Sequence, residues 1–78
     1  MNRNDTSGLV VKLAIKIHNK LEPALLESVY QRILAYELRK SGAEVQTEVP
    51  IPVTWDNHTI DDSFRADFIV NKQVLVEL

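Results

Sequence analysis

The apolar residues of this 78-residue chain change their spacing at Gly42. Before it they recur every three to four residues, the period of a helix with one buried face. After it they recur every second residue, the period of a half-buried strand. That switch predicts helices first and sheet second, an α+β fold in which two antiparallel helices pack on a three- or four-stranded, mainly antiparallel sheet. In the first helix Leu9, Val10, Leu13, Ala14, Ile17 and Leu21 form the stripe, with Lys12, Lys16, Asn19 and Lys20 off it. Asp5-Thr6-Ser7 offers N-caps for it. Pro23 should end it at Leu21 or Glu22, because a residue before proline is pushed out of helical geometry. A second helix should run from Ala24 to Lys40 on a stripe of Leu26, Val29, Tyr30, Ile33, Leu34 and Leu38, and stop at Lys40-Ser41-Gly42. The short connection makes the two helices neighbours.

Beyond Gly42, Val45, Thr47, Val49, Ile51, Val53 and Trp55 alternate with polar residues as one long strand. Pro50 and Pro52 cannot donate to a ladder, so this strand lies at an edge or leaves the sheet there. Asp56-Asn57 is a turn signal, with a short strand at His58–Ile60 and a break at Asp61-Asp62-Ser63. Phe64–Val70 and Gln73–Leu78 then read as a hairpin around Lys72. A three-residue loop there opposes residues whose numbers sum to 144. Asp67 then faces Glu77 and Ile69 faces Leu75. Phe64, Ala66, Phe68, Val70, Val74, Val76 and Leu78 fill the other face, the floor of the core. A two-residue loop would mix polar with apolar on both faces, so the apolar pattern selects the register.

Length allows one domain, expected to span residues 8–78 after a flexible segment at 1–7. Hydrophobic residues at 45% and charged residues at 26% argue against disorder. Without cysteine there is no disulfide framework and no thiolate site. No apolar run exceeds four residues and no signal-peptide core is visible, so a cytoplasmic protein is expected. The net charge of −2 argues against a generic basic coat. Its distribution is uneven: residues 1–40 hold seven Lys/Arg against four Asp/Glu, and residues 41–78 hold two against seven.

The register places the Asp67 and Glu77 carboxylates side by side on one sheet face. Like charges so placed are destabilising unless they are solvated, share a proton or hold a cation between them. A hard divalent ion, Mg²⁺ or Mn²⁺, suits two carboxylates, and can activate water and hold a phosphate oxygen. Glu27 and Tyr30 share a face of the second helix. His18 and His58 are isolated and read as surface or packing residues, and Trp55 reads as core. The Lys12, Lys16, Lys20 series is a solvated face or a phosphate-facing one. No glycine-rich phosphate loop and no Ser/His/Asp order is present.

Four blocks carry a family resemblance. They are Leu25-Leu26-Glu27-Ser28-Val29-Tyr30 with Ala35-Tyr36-Glu37-Leu38, Val49-Pro50-Ile51-Pro52-Val53, Phe64-Arg65-Ala66-Asp67-Phe68, and Val74-Leu75-Val76-Glu77-Leu78. In this order and spacing they resemble the GxxExxY family, grouped with the PD-(D/E)xK nucleases. The resemblance implies a partial restriction-endonuclease-like core and Mg²⁺-dependent hydrolysis of nucleic-acid phosphodiesters. It implies Glu27, Asp67 and Glu77 as catalytic metal ligands and Tyr30 as a motif residue. The Lys12, Lys16 and Lys20 series would contact the nucleic-acid backbone. The chain departs from the family at Glu22-Pro23-Ala24, where Gly-Pro-Gly is usual, and at Glu48, where glutamine is common. The lysine of the E-x-K motif would fall at position 79, past Leu78, as would a later helix and strand. The resemblance therefore implies weak or absent turnover for these 78 residues, and self-association through an uncovered sheet. The alternatives are a non-catalytic module that docks nucleic acid or protein at its open sheet edge, or a degenerate fragment.

Overall fold

A computed structural model describes residues 1–21, 26–60 and 64–78. It is α+β, as the change of period requires. Two helices, α1 (Arg3–Lys20) and α2 (Glu27–Lys40), precede five strands: β1 (Val45–Pro50), β2 (Val53–Trp55), β3 (His58–Ile60), β4 (Arg65–Val70) and β5 (Val74–Val76). Strands β1, β4 and β5 form an antiparallel sheet in the order β1-β4-β5, and β2 and β3 form a separate two-stranded one.

The first helix starts earlier than its apolar stripe suggests. Asn2, not Asp5-Thr6-Ser7, is the cap. Its Oδ1 accepts the Asp5 N–H at 2.8 Å, and Asp5 Oδ2 accepts the Asn2 N–H at 3.2 Å. This reciprocal pair satisfies two of the orphan donors at the helix start, so residues 3–7 are helical rather than a lead-in segment. The helix stops at Lys20. Pro23, and the start of the second helix at Ala24, lie outside the described residues. The second helix is described from Glu27, and its end is where the sequence puts it. Gly42 at φ 92 lets its own N–H reach the Arg39 carbonyl and the Ala43 N–H reach the Leu38 carbonyl, both at 3.0 Å. This is the glycine-dependent stop expected at a left-handed position.

The hairpin register is the one the apolar pattern selects. Phe68 opposes Val76, Ile69 opposes Leu75 and Val70 opposes Val74, around a loop at Asn71-Lys72-Gln73. The long strand through Trp55 does not form. It divides at Ile51-Pro52, and Val53–Trp55 pairs with His58–Ile60 across the Asp56-Asn57 turn, whose φ values of 50° and 62° are those of a tight hairpin turn. Trp55 is 76% exposed, which overturns its assignment to the core. The expected break at Asp61-Asp62-Ser63 falls outside the described residues.

The pairing of β1 with β4 changes phase once. The Asn71 N–H donates to the Glu44 carbonyl, and the Ile51 N–H donates to the Phe64 carbonyl, each at 2.8 Å. Hydrogen-bonded pairs in a regular antiparallel ladder recur every two residues. Residues 44 and 51 are an odd number apart, so the ladder shifts between them. The shift falls at Glu48, whose φ is 52°, and the Glu48–Asp67 pair is the one the register skips. As a result, Pro50 and Pro52 present their missing donors to the open edge, the position a proline tolerates. On the Glu44 side of the shift the Val45 carbonyl faces outward, where the Arg39 guanidinium donates to it at 3.0 Å.

The core lies between the helices and one sheet face. Val10, Leu13 and Ile17 from α1 and Leu34, Ala35 and Leu38 from α2 close over Val45, Phe68 and Val70. The first stripe is as expected. On the second, Leu26 is exposed and Ala35 takes a core place instead. Phe64 and Leu78, at the ends of the apolar sheet face, are also exposed. Two polar ties fasten the layers. The Tyr30 hydroxyl donates to the Ala14 carbonyl at 3.0 Å, joining the helices. The fully buried Thr6 hydroxyl lies 3.0 Å from both the Asn2 carbonyl and Gln73 Oε1, and accepts from Asn71 Nδ2 at 3.1 Å. Its single proton serves one acceptor at a time.

Candidate functional site

The open sheet face carries the acids. The β4–β5 register puts Asp67 level with Glu77, one step beyond the last recorded pair. The Leu78 N–H donates to Asp67 Oδ2 at 2.8 Å, which ties the chain past β5 to this level. On the other flank the β1–β4 register puts Glu48 level with Asp67. Three carboxylate-bearing residues therefore occupy one row across three strands. Asp67 is half-buried, while Glu48 and Glu77 are exposed.

Gln31 links this row to α2. Its Nε2 donates to Glu48 Oε1 at 2.9 Å and lies 3.4 Å from the Asp67 carbonyl, which the irregular ladder leaves accessible. The sequence pattern singles out Glu27 and Tyr30 on this helix and not Gln31. Its spacing of four from Glu27 was the available signal, since residues so placed share a helix face. With Gln31 beside Glu48 and Arg39 beside Val45, α2 runs antiparallel to β1. Glu27, exposed in the first turn of α2, is therefore one turn farther toward the Pro50–Arg65 end of the ladder. Among the described residues no three His, Cys, Asp or Glu side chains gather closely enough to hold a metal ion. Asp67 and Glu77 supply the hard oxygen donors that a divalent cation takes. Glu27 is not drawn in beside them.

Tyr30 lies away from the acids, on the helix–helix contact. His18 and His58 are exposed on separate elements. Lys12, Lys16 and Lys20 are exposed on α1, and Lys16 Nζ stands 3.9 Å from Glu37 Oε2. A concave surface adjoins the row on the α2 side. A groove of about 760 Å³ runs between α2 and β1, with Gln31 and Glu48 at the level of Asp67 and with Arg32, Tyr36, Arg39 and Lys40 along its helical wall. No helix among the described residues is long and apolar enough to cross a membrane.

The comparisons with known proteins address the same architecture. The model of the PD-(D/E)XK nuclease superfamily matches residues 4–78, which takes in both helices, the sheet and the acid row. No curated protein and no solved structure matches the chain. The match spans nearly the whole chain, and the fold carries the helix–hairpin order on which the sequence resemblance rests, so this chain belongs to the PD-(D/E)XK nuclease superfamily.

Proposed function

We propose that the protein is a GxxExxY-type, divalent-metal-dependent nuclease, with Asp67 and Glu77 as the metal-holding pair and Glu27 as the third acid. One observation carries this reading. Two carboxylate-bearing residues occupy the same level of neighbouring strands, with the Leu78 N–H bound to one of them. Side-by-side carboxylates repel, and a solvent-facing pair with no cation beside it gains nothing from the arrangement. When bound, Mg²⁺ or Mn²⁺ would lower the pKa of a water and offset charge on a phosphoryl oxygen.

The protein's own residues have separate tasks. The Leu78 N–H occupies Oδ2 of Asp67 and orients that carboxylate, leaving Oδ1 for the ion. Glu77 shares the charge on the neighbouring strand. Gln31 holds Glu48 through its amide and keeps that carboxylate on the α2 side of the row. Glu27, in the first helical turn and in water, is free to reorient toward an ion or substrate.

Mn²⁺ titration by isothermal calorimetry tests the assignment without requiring turnover. Wild-type protein should bind Mn²⁺, and Asp67→Asn or Glu77→Gln should weaken it tenfold or more. Asp67→Asn preserves an oxygen for the Leu78 N–H, so a loss of metal would reflect the charge. Unchanged affinity in both variants would remove the metal site from Asp67 and Glu77. Release of fluorescent fragments from a labelled oligonucleotide in Mg²⁺ then tests hydrolysis.

A further inference from the structure

We propose that the groove between α2 and β1 is the track for a single-stranded nucleic acid, with phosphates on Arg32 and Lys40 and a base stacked on Tyr36. Nucleic acid as the occupant rests on the nuclease reading. The location rests on independent observations.

The first is charge. Arg32, Arg39 and Lys40 line the groove against one acid, Glu48, in a chain whose net charge is −2. Arg39 is engaged with the Val45 carbonyl. Arg32 and Lys40 are exposed, and neither forms a hydrogen bond or ion pair among the described residues. They stand eight residues apart on one helix, about 12 Å at 1.5 Å per residue. That spacing addresses two separate phosphates along a strand rather than one anion.

The second observation is aromatic. Tyr36 lies between the two cations in sequence and is 63% exposed, with Lys40 Nζ 6.0 Å from its ring centroid. A smaller depression of about 340 Å³, lined by Val29, Arg32, Ile33 and Tyr36, adjoins the groove across the Arg32–Tyr36 pair. An exposed ring beside an apolar hollow, flanked by cations, is the combination that binds unpaired bases. A duplex keeps its bases stacked on each other and offers no free face to Tyr36, which favours a single strand.

The third is continuity with the acids. Gln31 and Glu48 belong to both the groove and the acid row, so a strand in the groove is led to the level of Asp67. The lysines of α1 line neither depression.

Fluorescence anisotropy with a labelled twelve-nucleotide single strand of mixed sequence, and with its duplex, tests this in EDTA. There cleavage cannot interfere, and failure of the metal site does not affect the result. The double substitution Arg32→Gln/Lys40→Gln should reduce the slope of log affinity against log salt by about 1.4, at roughly 0.7 per phosphate contact. Tyr36→Leu should weaken single-strand binding by tenfold or so and leave that slope unchanged. The α1 substitution Lys12→Gln/Lys20→Gln should change neither. Circular dichroism confirms that each variant is folded. Absence of single-strand binding, tighter binding of the duplex, or a loss of slope in the α1 variant instead of the groove variant would each overturn the proposal. If groove binding holds while Mn²⁺ affinity ignores Asp67 and Glu77, the track stands and the nuclease assignment falls. The reverse pattern removes the track alone.

Discussion

Tyr30 and Thr6 perform structural work at single positions. Tyr30 belongs to the motif that carries the family resemblance, yet its hydroxyl reaches the Ala14 carbonyl and not an acid. Tyr30→Phe should therefore cost about 0.5–1.5 kcal/mol, the net worth of one such bond, and leave Mn²⁺ affinity unchanged. Urea unfolding with an unaltered m-value checks the first part, and calorimetry the second. Thr6 is the harder residue to read. It looked like a cap, but it is fully buried and its hydroxyl meets Asn2, Asn71 and Gln73. Thr6→Val keeps the volume and strands those partners, so a loss of about 1–3 kcal/mol is expected, with Thr6→Ser closer to wild type. Equal stability of Thr6→Val and wild type would show that the polar tie contributes nothing. Tyr30 was legible because its spacing from neighbouring helix residues is local. Thr6 was not, because two of its partners lie more than sixty residues along the chain.

Among the elements, β1 shows both the reach and the limit of the sequence. The Val49-Pro50-Ile51-Pro52-Val53 block indicates an edge strand, since proline has no donor, and β1 is at an edge of the described sheet. The phase of its ladder was not visible, because phase is a property of two strands. Without a shift, Pro50 would fall where the ladder needs an N–H. The left-handed backbone at Glu48 removes that conflict and carries a strain of order 1–3 kcal/mol for a residue with a side chain. Glu48→Gly and Glu48→Val both lose the Gln31 hydrogen bond but differ in tolerance of positive φ. The valine variant should therefore be less stable by about 1–3 kcal/mol, read from denaturant midpoints. Equal midpoints would mean that Glu48 is not held left-handed. The same prolines explain why Trp55 is outside the core although the alternation runs through it. They end the ladder, and the hairpin beyond pairs β2 with β3 in a two-stranded sheet of its own. As the only tryptophan, Trp55 should emit as in water and be readily quenched by acrylamide. A blue-shifted, protected emission would place the hairpin against something.

The whole molecule is a thin two-layer body, 46 × 32 × 15 Å, with the helices on one sheet face, Asp67 and Glu77 on the other, and Glu48 turned toward α2 at the sheet edge. Its radius of gyration, 14.2 Å, exceeds the roughly 11.5 Å of a compact chain of this length. The chain is accordingly less compact than one closed core would make it, with β2 and β3 in a sheet separate from the other three strands. The sequence made the Asp67–Glu77 level readable because hairpin parity and one apolar face leave a single register. It did not make the groove readable, because Arg32, Tyr36 and Lys40 meet Thr47 and Glu48 only once α2 lies along β1. These two surfaces should respond differently to metal. An ion that binds only the folded state stabilises it by about 2.7 kcal/mol at a hundred times its dissociation constant. In a domain this small that is a rise in melting temperature of roughly 10 °C or more. Mn²⁺ should produce that rise in wild-type protein and in Tyr36→Leu, and not in Asp67→Asn. A rise that survives Asp67→Asn would put the ion somewhere other than the open sheet face. If removal of the carboxylate itself raised the melting temperature in EDTA, that would measure the repulsion between Asp67 and Glu77. Such repulsion in the metal-free protein would be the physical reason for a cation to bind there.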